Sequence, residues 1–186
     1  MDLARELLEK NNNILVHFNA TGDTYELIQD GIVKTKISRK EPKIWEFYTL
    51  RTQYNNKLRK NFEYIRSLYS NPNYDIFSKQ TNYAHFIYND GELLATIYSN
   101  DIHYNEFYRI NEAYEKNKFN KFYAEIKEKY GDISIKSVVF DVDEDGPIYE
   151  YEIYSKDGEF IHSSYILNYD WLYWSRIVSE GKHNYT

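Results

Sequence analysis

The sequence predicts an α+β fold, and three observations carry that prediction. Short runs of β-branched and aromatic residues come in pairs around Asp-Gly turns at Asp30, Asp90 and Asp157, and Asp-Gly tolerates the positive φ angles of a tight hairpin. Two long stretches, after Pro42 and after Asp101, bring apolar residues back at helical spacing. Near the C-terminus three strand-like runs follow one another through turns, as a meander does. The expectation is an antiparallel sheet built from hairpins and a C-terminal three-stranded meander, with helices packed on one face. The 186 residues suit a single domain spanning 1–186, and a sub-division would fall in the polar stretch 71–82.

Taken in order, Leu3, Leu7 and Leu8 form one face of a short N-terminal helix that Asn11-Asn12-Asn13 ends. Ile14, Val16 and Phe18 alternate as a strand, Thr21–Thr24 turn, and Tyr25–Gln29 with Ile32–Ser38 make a hairpin. A long amphipathic helix over about 42–70 carries Phe47, Tyr54, Leu58, Phe62 and Ile65 and stops at Asn71-Pro72. Asn73–Asn82 reads as a polar loop, followed by a hairpin of Tyr83–Tyr88 and Glu92–Tyr98. A helix over about 101–130 is expected to break at Glu115–Lys118, where its apolar stripe is interrupted. The meander then runs Ile133–Val142, Ile148–Ser155 and Glu159–Leu167, and Asp170 caps a short C-terminal helix with Trp171 and Trp174 on one face. The octets LIQDGIVK, IYNDGELL and YSKDGEFI agree as hairpins do in general, so they read as convergent turn chemistry and not as a repeat.

Within the meander, Asp141, Asp143, Asp145 and Gly146, followed by Glu152, satisfy D-x-D-x-D-G-x5-E. This twelve-residue stretch resembles an EF-hand calcium loop, and the resemblance implies Asp141, Asp143, Asp145 and Glu152 as side-chain ligands of Ca2+. EF-hands flank the loop with helices, whereas SVVF and YEIY flank it here with strand propensity. An acidic hairpin turn without a bound cofactor is therefore the first reading, and calcium the second.

The net charge of −6 argues against independent nucleic-acid binding, which needs a basic surface to displace counterions. Its distribution is uneven: residues 31–70 hold ten Lys or Arg against three Asp or Glu, whereas residues 132–186 hold four against eleven. The chain has no cysteine, no membrane span and no secretory-type apolar segment, which leads to the expectation of a cytoplasmic protein. Gly-rich phosphate loops, H-E-x-x-H and G-x-S-x-G are all missing, and His17, His85, His103, His162 and His183 fall in unrelated contexts. His17 and His85 read as satisfied core or sheet-surface residues. The 21 tyrosines, with abundant Asn, Ile and Lys, point to an AT-rich coding sequence and to a contact surface suited to proteins. The resulting expectation is a phage or mobile-element inhibitor of anti-CRISPR or anti-restriction type, binding a protein target with a basic surface. The alternatives are an immunity protein against a cognate toxin and a small metal-dependent enzyme.

Overall fold

The computed structural model describes residues 1–144 and 146–165. The fold is α+β, with antiparallel strands in hairpins and meanders, and helices of very different lengths. In chain order the elements are α1 (Asp2–Lys10), β1 (Leu15–Asn19), β2 (Thr24–Gln29), β3 (Ile32–Ser38), α2 (Ile44–Tyr69), β4 (Ile76–Gln80), β5 (Ala84–Asn89), β6 (Glu92–Tyr98), α3 (Tyr104–Tyr130), β7 (Ile133–Asp143), β8 (Gly146–Ser155) and β9 (Phe160–Tyr165). Among the described residues the strands form three separate three-stranded meanders, β1-β2-β3, β4-β5-β6 and β7-β8-β9. Two compact units result, Met1–Asn111 and Glu112–Thr186. The expected C-terminal helix with Trp171 and Trp174 lies outside the described residues.

Two expectations about element boundaries are corrected. The segment 73–82 is not wholly loop, because Ile76–Gln80 pairs antiparallel with β5, from Ile76 opposite Asn89 to Gln80 opposite His85. The expected break at Glu115–Lys118 does not occur, and α3 runs through it. Glu and Lys interrupt an apolar stripe but rank among the good helix formers, so loss of amphipathicity there does not become loss of helix.

In the first unit, α1, the first meander and the N-terminal half of α2 enclose a core of Ala4, Leu7, Leu8, Ile14, Leu27, Ile37, Phe47, Leu50, Tyr54 and Leu58. Two polar devices fix this core. The Tyr54 hydroxyl accepts from Ile14 N (2.9 Å) and donates to Ile14 O (3.0 Å), so the buried backbone just ahead of β1 is satisfied by a helix side chain. Lys57 Nζ donates to the Leu8 and Asn11 carbonyls (2.9 Å each) and to that of Glu9 (3.2 Å), closing orphan carbonyls at the end of α1.

The likeness of LIQDGIVK and IYNDGELL, read from the sequence as turn chemistry alone, extends beyond the turn: the β5–β6 hairpin copies β2–β3. In β2–β3 the register shifts after Leu27↔Thr35 to Ile28↔Val33, and in β5–β6 it shifts after Ile87↔Ala95 to Tyr88↔Leu93, each position 60 residues on. Both turns use positive φ at Asp and Gly, 53° and 76° at Asp30-Gly31, 48° and 77° at Asp90-Gly91. Backbone bonds outside the ladders recur as well: Arg39 N to Asp23 O and Ser99 N to Tyr83 O, Glu41 N to Ser38 O and Asp101 N to Tyr98 O, Ile44 N to Glu41 O and Tyr104 N to Asp101 O. Buried positions match too, Leu27 with Ile87 and Ile37 with Ile97. So does the aromatic packing, Tyr25 on Phe47 (5.1 Å) and Tyr48 (5.9 Å) against His85 on Phe107 (5.1 Å) and Tyr108 (6.2 Å). Helix α2 is shared: its first half seals the first core, while Phe62 and Tyr69 in its second half pack on His103 and Phe107 at the start of α3. The third meander keeps the central device, with Ile153 buried at the last pair before the β8–β9 register shift.

Candidate functional site

The acidic hairpin of the second unit is built from two long strands. From Ile133 opposite Ser155 to Asp143 opposite Gly146 the β7–β8 ladder continues with one shift between Val139 and Asp141. Among the described residues, β9 pairs with β8 from Glu150 to Tyr154, and β7 and β8 run on together beyond Tyr149 as the finger of this hairpin. Its tip exposes Asp141, Asp143 and Glu144. Val139 and Val142 lie beside them at 53% and 68% exposure, unusual for valine in a strand.

The four residues of the calcium spacing are distributed along this finger. Asp141 faces Ile148 across the ladder and Asp143 faces Gly146, both at the tip. Glu152 faces Lys136 instead, four residues beyond Ile148 along β8, which at strand rise is roughly 13 Å. Its carboxylate accepts from the Tyr154 hydroxyl, and Lys136 Nζ lies 4.7 Å from the Tyr154 ring centroid. Asp145 lies outside the described residues. Asp141 uses Oδ1 locally, accepting from Val142 N at 2.8 Å. Among the described residues no three His, Asp or Glu side chains converge as metal ligands do.

In the first unit the polar groups follow burial. The Glu26 carboxylate sits between Lys36 Nζ (2.9 Å) and Asn19 Nδ2 (3.3 Å), and these hydrogen bonds hold it below the usual carboxylate range. Asp101 is buried and burial raises its carboxyl, although Oδ1 accepts from His103 N at 2.8 Å ahead of α3. Burial pushes the Tyr54 hydroxyl up to about 12. His85 is only 2% exposed, and neither ring nitrogen has a hydrogen-bond partner among the described residues. It is a core histidine, as read from the sequence, but not a satisfied one. Burial lowers its pKa, so the imidazole is neutral at pH 7. His17 lies exposed on the sheet surface opposite Glu26, and His103 stacks on Phe62. The three histidines thus occupy separate settings.

One surface was not singled out from the sequence. On the face of β4–β6 turned away from Ile76, Ile87 and Ile97, the register aligns Phe77, Tyr88 and Leu93 in one row and Lys79, Phe86 and Thr96 in the next. Tyr83 extends it, edge-on to Phe86 at 6.2 Å. Phe77, Tyr83 and Leu93 are 47%, 56% and 50% exposed. The period-two alternation of Ile76, Phe77, Ser78 and Lys79 was the available signal, hidden because that stretch read as loop.

No helix among the described residues is long and apolar enough to cross a membrane. In comparisons with known protein families, curated proteins and solved structures, nothing matches this chain.

Proposed function

We propose that the protein acts by occupying a protein target stoichiometrically, as an inhibitor that sets its acidic finger into the basic groove of a nucleic-acid enzyme. The observation that carries this reading is the β7–β8 finger, where exposed Asp141, Asp143 and Glu144 stand beside exposed Val139 and Val142. Carboxylates interleaved with apolar side chains suit a groove that binds phosphates, because charge steers the encounter while the valines supply desolvated contact. The whole net charge belongs to this half: residues 1–111 hold fourteen basic and fourteen acidic side chains, residues 112–186 nine and fifteen. A phage or mobile-element source, with a host defence enzyme as target, is the part of the proposal that rests on composition alone.

The test is a titration of purified protein into nucleases and CRISPR or restriction effectors with basic substrate channels, reading substrate cleavage. Inhibition ending at one inhibitor per enzyme, weakened by salt and by Asp141→Lys with Asp143→Lys, supports the proposal. Turnover of RNA, DNA or nucleotides by the protein itself, lost in the same variants, replaces it with the metal-dependent enzyme.

A further inference from the structure

We propose that the outer face of β4–β6 is a self-association surface through which two copies of this chain pair face to face. It is independent of the acidic finger, which belongs to the other unit. The chain contains its own control. The β2–β3 and β5–β6 hairpins share register, bulge and turn geometry at a 60-residue offset, and the strands before them pair in the same way at an offset of 62, Leu15 opposite Ile28 and Phe77 opposite Tyr88, so the backbone of one meander is a guide to what the other requires. Where the second presents Phe86 and Thr96, the first carries Glu26 and Lys36, joined by a 2.9 Å ion pair. Where the second presents Tyr83, the first has Asp23, and both carbonyls accept the matching backbone bond. The fold is therefore made with charged residues at these places. Tyr83 and Phe86 therefore serve something other than folding, as exposed aromatics that the fold does not need mark an interface, and they extend the Phe77–Tyr88–Leu93 row, whose counterpart Leu15–Ile28–Val33 in the first meander is apolar as well.

The occupant follows from charge. Lys79 lies in the Phe86 row, while Asp90 and Glu92 lie at the hairpin end beyond the Tyr88 row. Among the described residues none of the three has an ion-pair partner within its own chain. A two-fold axis lying across the strands reverses the strand direction and sets each Tyr88 row on the other copy's Phe86 row. That arrangement brings each Lys79 toward the other copy's acidic hairpin end, so the surface is complementary to itself, as an isologous contact must be. The balanced charge of residues 1–111, fourteen of each sign, adds no net repulsion between the paired units. A fully buried aromatic side chain covers about 150–250 Å², so the half-exposed Phe77, Tyr83 and Leu93 offer roughly 300 Å² per copy. Pairing hides about twice that from these three side chains, below the roughly 1,200 Å² at which stable interfaces begin, so the dimer is weak and concentration-dependent.

Sedimentation equilibrium on the full chain, from about 5 to about 500 µM, reads this directly, and a dissociation constant of roughly 10–500 µM is expected for so small an interface. The variant Phe86→Glu with Thr96→Lys grafts the first meander's ion pair onto the second. It should leave the circular dichroism and melting curve close to wild type while abolishing the dimer. Tyr83→Asp, at an exposed position, should weaken pairing several-fold in case the double graft perturbs folding. Lys79→Glu and added salt should each weaken it as well. The proposal is overturned if the wild-type chain is monomeric up to the highest concentration, or if it dimerises and both Tyr83→Asp and the folded graft dimerise equally well.

Discussion

His85 gives the sharpest test of the core. The ring packs on Tyr104, Phe107 and Tyr108 at 5.1–6.2 Å, is 2% exposed, and leaves Nδ1 and Nε2 without partners among the described residues. A buried polar group with no hydrogen bond costs about 1–3 kcal/mol. His85→Phe keeps a planar ring, removes both orphaned nitrogens and should stabilise the protein by about 1–3 kcal/mol at pH 7.5, or several degrees in melting temperature. The larger ring adds volume, and strain from it would reduce this gain.

The pH dependence does not rely on packing. Burial lowers the His85 pKa below the ordinary imidazole value of about 6.5 in the folded state. Between the folded and unfolded values the unfolded chain binds the extra proton, so stability is complete above about 6.5 and falls by up to about 1.4 kcal/mol per pH unit below it. Urea denaturation of wild type and His85→Phe at half-unit steps from pH 7.5 to pH 5 should give curves that diverge as the pH falls. Parallel curves, with no gain at pH 7.5, would show that the imidazole is satisfied and that the unpartnered-core reading is wrong.

Three further outcomes are expected. Tyr54→Phe removes both hydrogen bonds to the buried Ile14 backbone and should cost about 2–4 kcal/mol by chemical denaturation. Asp101→Asn keeps the acceptor for His103 N while removing a carboxylate whose pKa burial raises, so it should raise the melting temperature at pH 7 and lose that advantage as the pH falls and the wild-type carboxyl takes up its proton. Calcium at a hundred times a true dissociation constant would add about 2.7 kcal/mol of stability. With Glu152 set opposite Lys136, melts with calcium and with chelator should coincide, and a large shift abolished by Asp143→Ala would refute that.

The local plan was legible because it rests on backbone chemistry. Asp-Gly pairs marked the β2–β3, β5–β6 and β8–β9 turns, and apolar periodicity marked α2 and α3. What escaped depends on partners distant in sequence. Strand β4 buries only Ile76 and turns Phe77 and Lys79 outward, so its composition is that of a loop until β5 supplies the ladder. The repetition escaped because packing selects shape and burial over identity. Leu27 and Ile87 are both aliphatic, but Tyr25 and His85 share only a ring and a place against Phe47 and Phe107.

The two candidate surfaces differ in legibility for a related reason. The acidic finger could be read in advance because its carboxylates lie close together in the sequence and a turn must expose them, whatever the register. The aromatic face could not, because Phe77, Tyr88 and Leu93 become one surface only when β4 and β6 pair on either side of β5. Comparison of the two meanders adds what neither shows alone. At one position the same backbone holds an ion-paired Glu26 and at its counterpart a phenylalanine, Phe86, so stability does not determine that choice and contact with another surface can.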